Sequence, residues 1–474
     1  MEDRWLAARR LGWQSAALVA VLAVYHVALA WLMRNTGLRL GSVGPGTKVY
    51  RVVPLYMYFA PHVKTGLLPA IGALAAYGIW LRAWVSNPKR LAARGFVAAA
   101  MAWHCGLAVA VAMIDGGPDR LWRPYVLLHD SDYLGAVDQV RSVRQFLQDY
   151  VVLLPRLPLH CHTHPPGGVI FLWWVGRLIH PGAPAAALAT IAASSLSVPA
   201  VYWLAGAVLE QGRARLAAGL FLVVPSVMLY TATSMDAVFL VPLIWSVVLL
   251  WQARSHRPWL LGALAGLSAS LAALATFSAA FLVVWAAAML AVTAIADRAR
   301  LGAALRALAA AAAVSVTLLA ALGCWCGYDL FENLRAAVGY DRAMMSGGDP
   351  AASRPHLHLI AANLAAFFAG AGIPLAVLFA RQAWRDLRPG EEPFAARRLN
   401  LTFLLALAVT VALPLYTLEV ERIWLFMVPL VVIGAVRQFG PLTGDGRAGP
   451  EIGLSYGLLA FQVVLMETLL ETTW

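Results

Sequence analysis

Apolar runs of about twenty residues, the length that crosses a hydrocarbon core, recur along the whole chain between short polar breaks. They fall at roughly 12–33, 65–85, 95–114, 184–209, 216–234, 237–252, 259–276, 279–296, 307–326, 359–380, 400–416, 423–436 and 451–470. The pattern predicts an all-α fold, a polytopic transmembrane bundle of about thirteen spans. Two stretches depart from it. Residues 167–180, "GGVIFLWWVGRLIH", are apolar but too short to cross, and read as a helix that dips into the outer leaflet. Further upstream, Val140, Val143, Phe146, Leu147 and Tyr150 share one helical face, with Arg141, Arg144 and Gln145 on another. That is the pattern of an amphipathic helix lying along the interface.

Charge orients the predicted spans. Basic residues cluster at Arg4/Arg9/Arg10, Arg82/Lys89/Arg90/Arg94, Arg213/Arg215, Arg254/Arg257, Arg298/Arg300/Arg306, Arg381/Arg385/Arg388/Arg397/Arg398 and Arg437/Arg447. Placing all of them in the cytoplasm satisfies the positive-inside rule, with the N-terminus inside, the C-terminus outside and the loop 115–165 external. The loop 34–64 runs against the rule, with Arg34, Arg39, Lys48, Arg51 and Lys64 outside. A full crossing by 167–180 would turn every later basic loop outward. The first apolar run, after Arg4, Arg9 and Arg10, resembles a signal peptide with small residues at Ala28 and Ala30; it is long enough to span and reads as an uncleaved first helix.

Composition agrees. Of 474 residues 61% are hydrophobic and 13% charged, which excludes a soluble globular chain. The net charge of +12 is dispersed over short loops and forms no basic face, so no nucleic-acid partner is expected. The four cysteines, Cys105, Cys161, Cys324 and Cys326, form no CxxC pair. Cys161 would pair with Cys324 or Cys326 only if they shared a face.

In this topology four polar features lie on the outer side: the loop 115–165, the Asp236 corner, the loop 327–358 and Glu419/Glu421/Arg422. Transmembrane helices do not need polar corners, so their common side points to a site. In "LLHDSDYL", Asp130 and Asp132 follow His129. Either acid suits a general base or cation ligand at the membrane surface; the alternative is a solvated acidic loop. In "LPLHCHTHPPGG", His160, His162 and His164 alternate. In an extended segment they would point to one side and, with His129 or Asp130, could hold zinc or another divalent cation. The alternative is an interfacial His-Pro-Pro-Gly turn, and no cofactor is firmly implied. Pro165 and Pro166 favour an extended entry, and Gly167 and Gly168 open the short helix with amides that favour an anion. Asp236 sits beside hydrocarbon, as a functional acid or as the N-cap of the next helix. Arg422 suits a forked grip on phosphate, or a local ion pair with Glu419 or Glu421.

The order of these elements resembles a family: an acid in the first large external loop, "HPP" before a short helix, "SMDAVFL" at an outer corner, "ATFSAAFLVV" two helices on, and a late "ERIW". It is similar to the GT-C superfamily of integral-membrane glycosyltransferases, and within it to the protein O-mannosyltransferase and aminoarabinose transferase branch. The resemblance covers roughly residues 95–436 as a catalytic core, with helices in 1–94 before it and a final helix in 437–474. It implies a polyprenyl-phosphate sugar donor, a glycan, lipid or protein acceptor, and transfer outside the cytoplasm across a bacterial-type plasma membrane. By the same resemblance Asp130 or Asp132 is the base and His164, with Pro165 and Pro166, lies near the sugar phosphate. His129, His162, Asp236, Glu419 and Glu421 then line the substrate, and Arg422 holds the donor phosphate. Three features depart from the pattern: two extra helices precede the acidic loop, "HDSD" stands where many relatives have adjacent acids, and the soluble C-terminal domain of several relatives is not expected here. The competing reading is a secondary transporter or flippase for an amphiphilic substrate. Transporters commonly carry internal repeats and midplane charges; here no repeat is evident and the acids map to one rim.

Overall fold

The computed structural model describes residues 2–36, 52–61, 65–85, 92–127, 132–346, 356–388, 394–413, 416, 419–440, 442 and 449–471. Among these, ten helices are long and apolar enough to cross a membrane, and up to twelve spans result if each of two bent pairs counts as one. The protein is an all-α polytopic membrane protein. The predicted spans are recovered, those at 12–33 and 307–326 as longer helices that begin earlier, Glu2–Thr36 and Arg298–Cys326, with three further differences. The run at 216–234 is two helices, Gln211–Phe221 and Pro225–Thr231, bent by 53° at a break that Pro225 enforces by lacking an N–H. The run at 359–380 is also two, His356–Gly370 and Ile373–Leu387, bent by 114°. The last predicted core run is only a short apolar helix, Leu425–Val436. The dipping segment is the short helix Gly167–Leu178, and the amphipathic helix spans Val143–Leu153, capped by Ser142 accepting from the Gln145 N–H at 3.2 Å.

The sharper bend leaves backbone groups that lipid cannot satisfy. Gly372, at φ 98°, makes the turn. Gln462, from the helix Pro450–Leu469, fills it: its Oε1 accepts from the Ile373 N–H at 2.9 Å and its Nε2 donates to the Ala369 carbonyl at 2.8 Å.

The chain forms two compact units interleaved in sequence. The first comprises Met1–Arg120, Ser194–Ala232 and Arg354–Thr473; the second comprises Leu121–Ala193 and Thr233–Ser353. In the first unit, groups predicted for the same side of the membrane meet. At one end His26 bonds the Val53 carbonyl at 2.6 Å, the Tyr56 N–H donates to Glu421 at 2.6 Å, and Tyr58–Phe59 pairs antiparallel with Leu470–Glu471. At the other, Arg381 donates to Gln14, and Arg215 donates to the Trp84 carbonyl at 3.3 Å with Phe96 beneath its guanidinium. Arg437, read from sequence as a loop cation, is buried there against Asp386.

The second unit rests on close helix approach. Gly262 and Gly266, four apart on Pro258–Ala275, face Arg298–Cys326 so tightly that a Cβ on either would lie 2.3 Å from a backbone carbonyl, of Ala307 or Ala311. This is small-residue packing of membrane helices. The Ser315 hydroxyl donates across it to the Gly266 carbonyl at 3.0 Å. Gly266→Leu is expected to force the helices apart and to cost about 3 kcal/mol. The lipid-side control Gly457→Leu, whose Cβ meets nothing within 4 Å, should change little. Thermal unfolding in detergent compares them; equal midpoints would remove the close approach from the fold's stability.

The core of the second unit collects Tyr125, Tyr133, Phe146, Tyr150, Cys161, Val169, Leu172, Phe239 and Tyr328. Cys161 and Cys326 share this core, yet all four cysteines are free thiols.

Candidate active site

The stretch expected to run extended does not. Pro158 caps a helical turn, Leu159–His162, so alternation no longer puts the three imidazoles on one side. Residues 160 and 164, a helical turn apart, face the same ring: Tyr133 lies 5.8 Å from His160 and, edge-on, 5.7 Å from His164. His162 goes elsewhere and stacks on Tyr340, centroids 4.6 Å apart. The premise of a three-histidine zinc face therefore fails. Among the described residues no group of three or more His, Cys, Asp or Glu side chains is placed to hold a metal ion.

The Nδ1 of His164 sits 3.0 Å from the His160 carbonyl and 3.2 Å from the Thr163 hydroxyl, so the segment helps to orient this imidazole. Tyr150 fixes the same segment from below, its hydroxyl donating to the carbonyls of Cys161 at 3.2 Å and His164 at 3.0 Å. Gly167 and Gly168 are small for packing. A Cβ at Gly167 would lie 2.3 Å from the Leu274 carbonyl oxygen, and one at Gly168 3.1 Å from Tyr133 and 3.2 Å from Phe239.

Tyr133 is the centre that sequence reading missed, although it directly follows Asp132. It begins a 3-10 segment, Tyr133–Gln139, and its N–H donates to the Asp132 carboxylate at 2.6 Å. Phe239, from the first turn of Asp236–Ala253, packs edge-on to Tyr133 at 5.8 Å and lies 6.1 Å from His164. The Tyr133 ring thus packs against His160, His164 and Phe239 of the helix that Asp236 begins, and its backbone N–H holds the carboxylate of the preceding Asp132. Asp132 is only 6% exposed. Burial, and secondly the charge of Asp132, push the Cys161 thiol and the Tyr125 hydroxyl up, so both stay protonated around neutrality. Asp130 and His129 lie outside the described residues.

Asp236 is the first helical residue rather than the cap. The Ser234 hydroxyl donates to its carboxylate at 2.8 Å, and its own N–H donates to that hydroxyl at 3.2 Å. Negative charge in a first turn is favoured by the helix dipole. Beside this cluster a cavity of about 380 Å³ is lined by Tyr125, Leu134, Leu172 and Ala183, with Asp138 and His180 among its polar groups.

Glu419, Glu421 and Arg422 belong to the first unit. Arg422 makes the local ion pair that sequence reading held open, with Glu419 three residues before it. Glu419 takes the left-handed conformation, φ 61°, at the start of the short helix Val420–Ile423. Glu421 is 2% exposed, and its Oε2 has no hydrogen-bond partner among the described residues. Burial pushes its carboxyl from 4.5 up to about 7, against the lowering effect of the Tyr56 N–H. The folded state then binds more protons than the unfolded one between 4.5 and about 7. Stability must fall as pH rises through that window and stay low above it. Glu421→Gln, which keeps an acceptor for Tyr56, is expected to abolish that slope and to be more stable above the window by about 3 kcal/mol. Melting midpoints across the window would show it; parallel curves would place the slope on other groups.

No protein-family model matches the chain, and no curated protein matches it. Among solved structures it is similar to the archaeal oligosaccharyltransferase AglB from Archaeoglobus fulgidus, determined in complex with an inhibitory peptide and a dolichol-phosphate. The identity is 12%, the TM-score is 0.47, and the match covers 79% of this chain and 56% of that one, so the chain spans little more than half of that protein's length.

Proposed function

We propose that this protein is an integral-membrane glycosyltransferase of the GT-C type. It would take a sugar from a polyprenyl-phosphate donor and pass it to an acceptor hydroxyl on the extracytoplasmic side. The observation that carries the reading is the gathering around Tyr133. Two histidines and Phe239, from the first turn of the helix that Asp236 begins, pack on its ring, and the nearly buried Asp132 directly precedes it, in the order along the chain that the superfamily uses. A carboxylate at a membrane surface can take the acceptor's proton as its oxygen attacks the anomeric carbon. The bond from that carbon to the phosphate oxygen breaks, polyprenyl phosphate leaves with the electron pair, and the anomeric configuration inverts. Asp132 or Asp130 is the proposed base. His164 is proposed to lie beside the sugar phosphate, where an imidazole N–H would steady the developing charge. Arg422 is proposed for the donor phosphate on the chemistry of its guanidinium. The catalytic core is placed at residues 95–436, in a bacterial-type plasma membrane. The physical logic of the donor is compartmental: nucleotide sugars remain in the cytosol, so an external enzyme needs a sugar that crosses on a lipid.

Membrane vesicles carrying the purified chain, supplied with radiolabelled polyprenyl-phosphate hexoses and pentoses and a cell-envelope extract as acceptor, test this directly. Label should move from at least one lipid donor to a water-stable product, and nucleotide sugars should not replace it. Passage of the intact labelled lipid between leaflets with no transfer would replace the enzyme by a flippase.

A further inference from the structure

The helix Leu330–Ser346, in the second unit, meets its neighbours by one narrow stripe. Leu330, Ala336 and Tyr340 pack against the core that holds Tyr150, Cys161 and Tyr328, while Phe331, Glu332, Leu334, Arg335 and Val338 are exposed. Asn333 falls on the packed stripe and is fully buried. Neither its Nδ2 nor its Oδ1 has a partner among the described residues. The same holds for the hydroxyl of Tyr328, just before the helix, and for Nε2 of His162, whose ring stacks on Tyr340.

Buried side-chain polar atoms are nearly always bonded. Here four unbonded ones lie on a single helix, its entry and the segment it covers. An apolar stripe would seal this face better. A primary amide offers a donor and an acceptor side by side, which complements two neighbouring hydroxyls of a sugar. Tyr328 before the helix and Tyr340 two turns beyond the amide add aromatic rings, which suit the C–H side of a pyranose. From Asn333 to Tyr340 the helix rises about 10 Å, enough length for more than one ring.

We propose that the stripe of Asn333 and Tyr340, with Tyr328 and His162, is a pyranose-recognition surface that the helix closes over itself when no sugar is bound. The inference rests on the glycosyltransferase reading and adds a subsite to it. The unbonded groups penalise the closed form, so a ligand that supplies their partners gains by lifting the helix. The sugar is that of the lipid donor or that of an acceptor glycan; both present vicinal hydroxyls.

The test is saturation-transfer NMR of the full chain in detergent with methyl pyranosides of mannose, glucose and galactose, beside Tyr328→Phe, Asn333→Leu and the exposed control Arg335→Ala. At least one pyranoside should give ring-proton signals with the parent and with Arg335→Ala. Its affinity should drop about tenfold in Tyr328→Phe and more in Asn333→Leu. Asn333→Leu should keep or raise the melting midpoint, because it removes an unpaired buried amide. Unchanged signals in both variants, or none from any pyranoside with the parent, overturns the proposal. Tyr328→Phe keeps the outcome readable if Asn333→Leu misfolds. Transfer from the lipid donor is measured in the same preparations. Transfer with unaltered pyranoside binding in the variants fails the subsite alone, and binding that follows the variants without transfer fails the enzyme reading alone. A raised KM for the donor assigns the surface to the donor sugar, and one for the acceptor assigns it to the acceptor glycan.

Discussion

Asp132→Asn is expected to reduce sugar transfer by roughly a hundredfold or more while the protein folds and keeps its melting midpoint. The substitution is nearly isosteric, and an amide oxygen can still accept from the Tyr133 N–H that the carboxylate accepts from now. What it loses is a lone pair basic enough to take a proton from an attacking hydroxyl. Gly168→Val should act differently at the same place. Its side chain would press on Tyr133 and Phe239, displacing the ring on which His160 and His164 pack, so both rate and stability should fall. Initial rates with the lipid donor, paired with unfolding curves, separate the two variants. Full activity in Asp132→Asn with loss in Asp130→Asn would move the base two residues upstream; full activity in both would end the base assignment. His160 and His164 both pack on the Tyr133 ring, so His160→Ala is expected to impair transfer along with His164→Ala.

The largest effect on stability is expected at the end of the first unit where Arg437 is buried. Asp386 has almost no exposed surface and holds Arg437 in a two-pronged pair, at 2.5 and 2.9 Å. Asn400 donates to the same carboxylate at 2.6 Å and Gln382 at 3.1 Å, so its oxygens are fully used. Asp386→Ala would leave a buried guanidinium without its counter-charge and is expected to cost about 3–5 kcal/mol, enough to prevent accumulation of folded protein. Replacing both members by apolar residues, Asp386→Leu with Arg437→Met, should recover much of the loss, because two desolvated charges disappear together. Quantified yield and thermal unfolding in detergent are the measurements. A double variant no better than the single one would show that the network around the pair matters more than its charge.

The spans were legible because hydrocarbon imposes one requirement, length of apolar sequence, that any reader of the sequence can apply. The breaks were less so. Gly372 and Pro374 mark the 114° bend in plain letters, but the apolar run continues through them, and hydropathy does not report direction. The imidazole stretch was misread for a related reason. Alternation predicts a shared side only for extended backbone, and a single turn of helix after Pro158 regroups the residues by four instead of two. At the site, acids and histidines stood out because charged and titratable groups are rare in such a chain. Tyr133 did not, since one aromatic among many apolar residues carries no mark of being central. Asn333 was hidden in the same way: on an amphipathic helix a polar residue reads as solvent-facing until packing shows that it lies on the covered stripe.

Gln462 has a consequence for how the molecule is made. The helix break it fills lies some ninety residues earlier in the chain, and its side-chain amide contacts the groups on either side of that break. A ribosome delivers the broken segment first, and the residue that satisfies it follows some ninety residues later. Until then the Ile373 amide must be sheltered by water or by the insertion machinery rather than by lipid, while the Ala369 carbonyl keeps the Gly372 N–H at 3.2 Å. The bend therefore becomes permanent only once the helix Pro450–Leu469 has been made and packed, and that helix acts as the latch of the first unit.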